Sequence, residues 1–269
     1  MKILFCGDVS GQSGRNSLKN FLPALKEKFK FDALIVNGEN AAHGLGITPK
    51  IYKELCRMGA DVITMGNHTF DKMDVVKIWG EDNVLVRPLN YPENTVGKGY
   101  QIINVGKKRL CVVQLLGRGF MHCKLELSDP FKDIQNFIQA HQDEYDLLIV
   151  DFHAETTAEK VAMGYLLDGQ ALLVVGTHTH IPTNDAHILE NGTAYITDVG
   201  MCGDYTSVLG MTRESAFSHF GFGQRIAWEP AVNKSTLCAV LVEVDTKTNL
   251  AKKIRPIILG DTLENTVKL

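Results

Sequence analysis

Short polar clusters along the chain contain the side chains that bind divalent metal ions, and each cluster directly follows an apolar segment. Carboxylate, amide and imidazole groups are the ligands that divalent transition metals accept from proteins. The set is larger than one ion needs, since a single catalytic metal usually takes roughly three or four protein ligands. A pair of ions about 3.5–4 Å apart, with a shared carboxylate, fits the set better. The candidate ligands are Asp8, Glu39, Asn40, Asn67, His153, His178 and His180.

Several of these residues also have a plain structural interpretation. Asp8 can cap the turn that follows its strand, Glu39 can be a surface charge, and His153 can be a hydrogen-bonded core histidine. His178 and His180 are harder to explain in this way, because paired histidines at one strand end are typical of a metal site. The two would point to opposite faces of a regular strand, so we expect them on a loop.

The polar clusters follow apolar runs that are predicted to be β-strands. These runs alternate with amphipathic stretches, and that spacing favours a layered α/β fold. Ligand-binding groups collect at the carboxyl ends of parallel strands, so we expect the clusters to converge at one sheet edge. A mixed sheet, or two stacked sheets with helices outside, accommodates the pattern. The strand candidates are KILFC, ALIVN, DVITM, RLCVVQLL, DLLIVDF, ALLVVGT, TAYITD and LCAVLVEV.

Three amphipathic stretches are predicted to form helices. One begins with the capping hydroxyl of Thr48, which Pro49 follows at the first helical position. A second begins near residues 156–157. Its apolar face is expected to contain Val161, Tyr165 and Leu166. The third covers residues 18–29, where Pro23 predicts a break or a late start because proline cannot donate the helical hydrogen bond.

The second half of the chain is predicted to contain antiparallel strands. Asn191-Gly192 is a strong signal for a two-residue hairpin turn, and strand-like runs flank it. A second turn is expected near DTKTN, residues 245–249. The glycine-rich stretch from Gly200 to Met211 can let the backbone approach a ligand closely. We expect this stretch to shape a ligand pocket.

The composition argues for one folded, soluble domain. The 269 residues are 45% hydrophobic and 22% charged, which predicts a single domain over residues 1–269. The formal net charge of −3 provides no overall cationic field for nucleic acid. The six cysteines form no Cys-x-x-Cys pair, which favours reduced thiols. The apolar run at the N-terminus is too short for a secretion signal or a membrane span, so we expect a cytoplasmic protein without membrane contact.

The blocks GD, GEN, GNHTFD, DFHAE and GTHTH, in this order, resemble the calcineurin-like metallophosphoesterase superfamily. They cover the chain from Asp8 to His180. The longer segments NGENAAHGLGIT and ITDVGMCGDYTSVLGM are similar in sequence to the YmdB-like branch, and this similarity extends over almost the whole chain. The members of that branch are cytoplasmic bacterial cyclic-nucleotide phosphodiesterases. The resemblance implies a layered α/β/β/α sandwich of mixed sheets and a dinuclear metal site that hydrolyses a cyclic nucleotide through an activated hydroxide.

The first two blocks depart from the wider superfamily and agree with the YmdB-like branch. The usual Asp-x-His is Asp8-Val9-Ser10 here, and a glutamate, Glu39, stands at the position of the bridging aspartate. By the resemblance, Glu39 bridges two ions and Asn40 replaces the missing histidine. The resemblance assigns one ion to Asp8, Glu39, Asn40 and His180, and the other to Glu39, Asn67, His153 and His178.

His68 is the candidate catalytic acid, because it neighbours the ligand Asn67 and the resemblance places the acid at this position. An imidazole can protonate the alkoxide that leaves a phosphodiester. The alternative for His68 is a group that orients substrate without donating a proton. Asp71 can orient His68 or cap the following KMDVVKIW segment, and we favour the cap.

Two other functions fit the same residues. A phosphomonoesterase such as a nucleotidase can use the same metal pair, and a regulatory protein can keep the site while it binds an RNA-processing partner. The ligand chemistry suits iron, manganese and zinc alike, and the resemblance favours iron or manganese in divalent or mixed-valence form. The resemblance also implies self-association into a homo-oligomer.

Overall fold

The computed structural model describes residues 1–80 and 83–269. Within these ranges the chain forms fourteen β-strands and five α-helices. The strands are β1 Lys2–Cys6, β2 Asp8–Val9, β3 Ala33–Asn37, β4 Val62–Thr64, β5 Leu85–Val86, β6 Tyr100–Val105, β7 Lys108–Leu116, β8 Leu147–His153, β9 Leu173–Thr177, β10 His187–Ile188, β11 Ala194–Ile196, β12 Met201–Cys202, β13 Thr236–Val244 and β14 Ala251–Gly260. The helices are α1 Gly11–Phe29, α2 Pro49–Arg57, α3 Pro130–His141, α4 Thr157–Leu166 and α5 Arg213–His219.

The strands form two mixed sheets and a short additional pair. The first sheet has the order β14-β13-β1-β3-β4-β5, and the second has the order β10-β11-β9-β8-β7-β6. Strands β1, β3 and β4 are parallel to one another in the first sheet, as are β7, β8 and β9 in the second. The two sheets therefore each present a row of parallel carboxyl ends. β2 and β12 form the additional pair near these ends.

The two sheets pack face to face, and helices cover their outer faces. Ile3 and Phe5 of β1 lie in the core between the sheets, together with Val112 of β7. The alternate residue Leu4 faces α1 and α2 instead. On the second sheet Val113 faces α3 and α4. Strands buried on both faces explain the continuous apolar runs of the sequence. The predicted α/β/β/α sandwich of mixed sheets is confirmed, whereas a single domain over residues 1–269 stays a prediction.

Helix α1 contradicts the break that was predicted at Pro23. The helix runs unbroken from Gly11 to Phe29 with Pro23 inside it. Pro23 lies on the exposed side, while Leu18, Leu22 and Leu25 on the opposite side are buried against the first sheet. Burial of this apolar face holds the helix together across the missing hydrogen bond, since tertiary packing contributes more to helix stability than propensity does.

Helix α2 begins as predicted, because the Thr48 hydroxyl accepts a hydrogen bond from the backbone N–H of Ile51 at 3.4 Å. Helix α4 also begins at its predicted place, with Thr156 as the cap. The prediction for the apolar face of α4 is wrong for two of its three residues, since only Leu166 packs against the core of the second sheet. Val161 and Tyr165 are exposed, and the helix instead buries Lys160, Met163 and Gly164.

The two predicted hairpins are present in the second half of the chain. β10 pairs antiparallel with β11, and β13 pairs antiparallel with β14. The first turn differs from the predicted Asn191-Gly192 turn. Gly192 donates a backbone hydrogen bond to the carbonyl of Leu189, so Glu190 and Asn191 are the central residues. Gly192 follows them with φ 103°, a left-handed conformation that glycine adopts at low cost.

None of the helices in residues 1–80 and 83–269 combines the length and apolar character that a membrane span requires.

Candidate metal centre and its cavity

The candidate ligands lie where the parallel strands of both sheets end. Glu39 follows β3, Asn67 follows β4, and His153 is the last residue of β8. His178 follows β9 directly, and Asp8 begins β2 just after β1. This placement agrees with the expectation from the sequence, because the two rows of carboxyl ends meet at one edge of the sandwich.

Four of the candidates form a tight group around the Nε2 atom of His153. Nε2 lies 3.0 Å from Glu39 Oε1 and 3.1 Å from Asn67 Oδ1. The Nδ1 atom of His178 is 3.1 Å from the same nitrogen. Glu39, His153 and His178 each offer a ligand atom, and these atoms lie within 4.8 Å of one another. Such a group can hold a metal ion.

The other three candidates lie directly beside this group. Asn40 Nδ2 is 2.8 Å from Nε2 of His180, and that nitrogen is 4.0 Å from Asp8 Oδ1. Asp8 also joins the two groups, because its Oδ1 lies 3.6 Å from His153 Nδ1 and its Oδ2 accepts a hydrogen bond from the backbone N–H of His178 at 3.2 Å. All seven predicted ligands are therefore connected through contacts of 4.0 Å or less.

The residues at this edge fit bound divalent metal ions. Among the described residues, Asp8 Oδ1 is a buried carboxylate oxygen without a hydrogen-bond partner, and buried polar atoms normally have one. Gly66 leaves the space that the donors need, because a Cβ at this position would lie 2.0 Å from Glu39 Oε2 and 2.6 Å from His153 Nε2. A cation at the cluster would give these converging oxygen and nitrogen lone pairs a common partner.

The protonation behaviour of the buried cluster shows that it attracts positive charge. Burial by itself favours the neutral form of Glu39, but attraction to His153 and their hydrogen bond outweigh it and lower the pKa of the Glu39 carboxyl. Burial likewise opposes the charged form of His153, yet attraction to Glu39 raises the pKa of His153 to about 9. Burial and repulsion from His153 lower the pKa of His178 to about 3. Positive charge beside Glu39 is therefore favoured on His153 and disfavoured on His178.

Asp71 contacts His68, and the prediction that it caps the next helical segment is wrong. His68 Nδ1 lies 2.7 Å from Asp71 Oδ2, and Lys124 Nζ is 2.5 Å from the other oxygen. The following 3-10 turn, Met73–Lys77, has no side-chain cap. Burial disfavours the Asp71 anion, but its hydrogen bonds to Lys124 and His68 prevail and lower the pKa of the carboxyl. Asp71 is therefore an ionised acceptor that orients the His68 ring.

A buried hydrogen-bond network, which was not predicted from the sequence, contacts the Nδ1 side of the His153 ring. The hydroxyl of Thr177 lies 2.8 Å from His153 Nδ1 and donates to Asp151 Oδ1 at 2.7 Å. Asp151 Oδ2 accepts from the Thr64 hydroxyl at 2.6 Å and from Asn37 Nδ2 at 3.0 Å. Because the Thr177 hydroxyl donates to Asp151, it accepts from His153, which places the Nδ1 proton and leaves Nε2 for a metal. Burial raises the pKa of Asp151 to about 6.

A buried ion pair holds the loop that carries His178 and His180. Lys160 Nζ lies 2.8 Å from Asp198 Oδ2. The same oxygen accepts hydrogen bonds from the backbone N–H and the hydroxyl of Thr179, at 3.1 and 2.6 Å. His178 and His180 have φ values of 94° and 65°, a conformation that costs side-chain-bearing residues about 1–3 kcal/mol each. The contacts of Thr179 with Asp198 offset this cost and fix the loop.

Replacing Lys160 by methionine is expected to lower the free energy of unfolding by about 3–5 kcal/mol, because Asp198 would keep a buried charge without its cation. Denaturant unfolding of metal-free protein measures this change. Tyr165→Ser, on the exposed side of the same helix, is the matched control and is expected to change stability by less than about 0.5 kcal/mol. A Lys160→Met protein as stable as the control would contradict the structural role of the pair.

A cavity of about 400 Å³ opens over the cluster. Glu39, Asn40, His178, His180 and His68 form its polar wall. Val208, Leu209 and Met211 of the glycine-rich stretch line it, as the sequence analysis expected of that stretch. Glu155 also lines the cavity, and its Oε2 lies 3.0 Å from His178 Nε2. The sequence indicated no role for Glu155 or for two aromatic residues of the wall, Phe220 and Trp228.

A layered α/β/β/α sandwich with this donor set at its strand ends defines a protein of the metallophosphoesterase type. The chain belongs to the family described as YmdB-like protein, whose model matches residues 4–257. The resemblance noted in the sequence is thereby confirmed.

Two curated relatives match nearly the whole chain. A Bacillus subtilis protein named 2′,3′-cyclic-nucleotide 2′-phosphodiesterase is 46% identical over 97% of this chain and 98% of its own length. A Mycoplasma pneumoniae protein named putative phosphatase/phosphodiesterase is 40% identical over 96% of this chain and 92% of its own length. The prediction of a phosphoric diester hydrolase is confirmed by these relatives.

Solved structures agree with the fold. The crystal structure of a hypothetical protein from Thermus thermophilus has a TM-score of 0.90 and 37% sequence identity, and the match covers 97% of this chain and 100% of that one. A putative 5′-nucleotidase from Staphylococcus aureus has a TM-score of 0.63 at 16% identity, with 100% of this chain and 56% of that one covered. At this identity the second match shows a shared fold alone.

Proposed function

We propose that the protein is a dinuclear metal-dependent phosphodiesterase that hydrolyses cyclic nucleotides, with 2′,3′-cyclic or 3′,5′-cyclic phosphates as substrates. The observation that carries the proposal is the cluster of seven candidate ligands, four of which, Glu39, Asn40, His178 and His180, line an open cavity. The name of the Bacillus subtilis relative, at 46% identity, supports a cyclic phosphodiester as the substrate class.

The proposed ligand assignment follows the two groups of side chains. One ion takes Asp8, Glu39, Asn40 and His180, and the other takes Glu39, Asn67, His153 and His178. The support is geometric, because contacts join His180 to Asn40 and Asp8, whereas Glu39 and Asn67 both contact His153. Glu39 is the shared carboxylate. When bound, two divalent ions supply positive charge for the phosphoryl oxygens and make hydroxide available near neutral pH.

His68 is proposed to hold the proton that the leaving oxygen receives. Its ring lines the cavity, and Asp71 fixes it through Nδ1. The other ring nitrogen, Nε2, lies 3.4 Å from the side-chain nitrogen of Asn67, beside the ligand cluster. An imidazole oriented in this way can deliver a proton from Nε2 to an alkoxide within hydrogen-bond reach.

The test of the proposed function compares phosphate esters with and without metal. Purified protein is treated with a chelator, reloaded with Mn²⁺, Fe²⁺ or Zn²⁺, and assayed on 2′,3′-cyclic AMP, 3′,5′-cyclic AMP and the monoesters 2′-AMP and 5′-AMP. We expect hydrolysis of at least one cyclic diester, loss of hydrolysis on chelation, and two bound ions per chain. Faster turnover of the monoesters than of both diesters would instead establish the phosphomonoesterase alternative.

Several predictions from the sequence stay predictions. They are the iron or manganese identity of the metals, the RNA-processing partner, the homo-oligomer and the cytoplasmic location. A catalytic role is favoured over a purely regulatory one, because a protein that acts by binding a partner has no need of buried ligands converging on an open cavity. Metal analysis of freshly purified protein is the measurement that distinguishes iron, manganese and zinc.

A further inference from the structure

The wall of the cavity over the ligand cluster also contains apolar side chains. They belong to Leu45, Val208, Met211, Phe220 and Trp228. Ligand cavities commonly have volumes of roughly 300–1,000 Å³, and this one, at about 400 Å³, has room for a small molecule beyond its phosphate. A phosphate ester held at the cluster would therefore find apolar side chains in the same cavity for the rest of its structure.

Two aromatic rings of this wall are presented to solvent at the cavity. Phe220 is 68% exposed and Trp228 is 47% exposed, and both lie in the segment that follows α5. Large aromatic side chains bury well elsewhere in this fold, as Phe5 and Phe152 do. Exposed apolar surface beside a polar site is typical of a ligand-binding surface.

The indole of Trp228 is held in place by a neighbouring ring. His219 stacks on it with ring centroids 4.0 Å apart and an angle of 18° between the planes. His219 is itself fixed, because its Nδ1 lies 2.9 Å from the carbonyl oxygen of Ser215. A ring that is already oriented loses little conformational entropy when a ligand binds to it.

We propose that Phe220 and Trp228 form a base-stacking subsite that binds the nucleobase of the cyclic nucleotide while the ligand cluster binds its phosphate. This inference rests on the proposed function and names the part of the substrate that the metal site does not recognise. Every nucleobase has a π-face, so stacking on aromatic side chains tolerates all bases. The subsite therefore selects nucleotides over other cyclic phosphodiesters without strong preference for one base.

The test uses two cyclic diesters that differ in the base. 2′,3′-cyclic AMP carries adenine, whereas glycerol 1,2-cyclic phosphate has the same five-membered phosphate ring and no aromatic group. In Phe220→Leu and Trp228→Leu, the KM for 2′,3′-cyclic AMP is expected to rise roughly 5- to 140-fold, the range that loss of one stacking ring produces. Hydrolysis of glycerol 1,2-cyclic phosphate is expected to stay at the wild-type rate.

Phe222→Leu is the matched control. Phe222 is 71% exposed on the same segment but does not line the cavity, so its replacement is expected to leave both substrates unaffected. Equal losses for the two diesters, or an unchanged KM for the nucleotide, would overturn the subsite. A change in sedimentation of the Phe220 and Trp228 variants with unchanged selectivity would also overturn it and assign the rings to an interface between copies of the chain.

A binding measurement separates failure of the subsite from failure of the proposed function. The chain contains two tryptophans, Trp79 and Trp228, so a Trp79→Phe protein reports fluorescence from Trp228 alone. Adenosine, which has no phosphate, is expected to quench this fluorescence in metal-free protein, and ribose is not. Quenching by adenosine without hydrolysis of either diester would contradict the proposed function but support the base-stacking subsite. Hydrolysis of both diesters without quenching by adenosine would contradict the base-stacking subsite and leave the proposed function supported.

Discussion

Replacing Glu39 by glutamine is expected to abolish diester hydrolysis and to reduce the metal content from two ions per chain to one or none. Glu39 is 1% exposed, its Oε1 lies 3.0 Å from His153 Nε2, and its Oε2 accepts a hydrogen bond from the backbone N–H of His68 at 3.3 Å. Glutamine has the same shape, but it lacks the negative charge and presents an NH₂ group that cannot bind a cation. Because both ions share Glu39 in the proposed assignment, one substitution weakens both.

The size of the effect distinguishes a shared ligand from a supporting group. Loss of an outer partner of a metal ligand usually reduces activity or metal affinity by roughly 10- to 100-fold, and Glu39→Gln is expected to exceed this range. Glu155→Gln is the matched control, because Glu155 contacts His178 from the cavity side and is 48% exposed. We expect the control to keep two ions. Mass spectrometry measures the metal content of both variants, and a hydrolysis assay measures their turnover. Two bound ions and wild-type turnover in Glu39→Gln would refute the role of Glu39 as a shared carboxylate.

The eight strand candidates and the convergence of the candidate ligands could be predicted from the sequence because each depends on local pattern. Apolar runs such as KILFC and ALIVN are buried on both faces, which makes them visible as continuous segments. A polar residue that directly follows such a run must lie at a sheet edge. Each of the seven candidate ligands lies at the carboxyl end of a strand or within three residues after it, and for this reason they meet although they are spread from Asp8 to His180.

Elements whose form depends on packing were predicted less well. Proline in a helical pattern predicts a break, but the buried side of α1 holds the helix together past Pro23. The spacing of apolar residues predicted an apolar face for α4 at Val161, Tyr165 and Leu166. The helix instead turns Lys160 inward, because Asp198, 38 residues away in the chain, accepts its charge. Asp71 was expected to cap the next helical segment, but its carboxylate instead contacts His68, three residues before it in the chain.

The hydrogen bonds that connect His153 to Asp151 and its partners could not be predicted from the sequence. Asp151 and Thr177 lie on neighbouring strands of the second sheet, and Asn37 and Thr64 lie on the first. Their hydrogen bonds cross between the two sheets, so the pairing depends on how the sheets stack. The one available signal is polar residues inside otherwise apolar strands, because a buried polar group requires a partner.

Replacing His68 by alanine is expected to leave both metal ions bound and to lower the turnover of 2′,3′-cyclic AMP by about 10²- to 10⁴-fold, the contribution of a positioned acid or base. Metal binding is expected to survive, because the contact of His68 with Glu39 comes from its backbone N–H, which alanine retains. Asn67, the neighbouring ligand candidate, keeps its contact with His153. Equal metal content with unchanged turnover would eliminate the acid role.

The leaving group of the substrate separates proton donation from substrate orientation. Nitrophenolate leaves without a proton, so bis(p-nitrophenyl) phosphate does not need the acid, whereas the alkoxide of a ribose does. The loss of turnover in His68→Ala is therefore expected to be large for 2′,3′-cyclic AMP and small for bis(p-nitrophenyl) phosphate. Asp71→Asn, which keeps the imidazole but weakens its orientation through Nδ1, is expected to show the same dependence on leaving group with a smaller loss. Equal losses for both substrates would make His68 a positioning residue, because orientation of the phosphate matters to both esters alike.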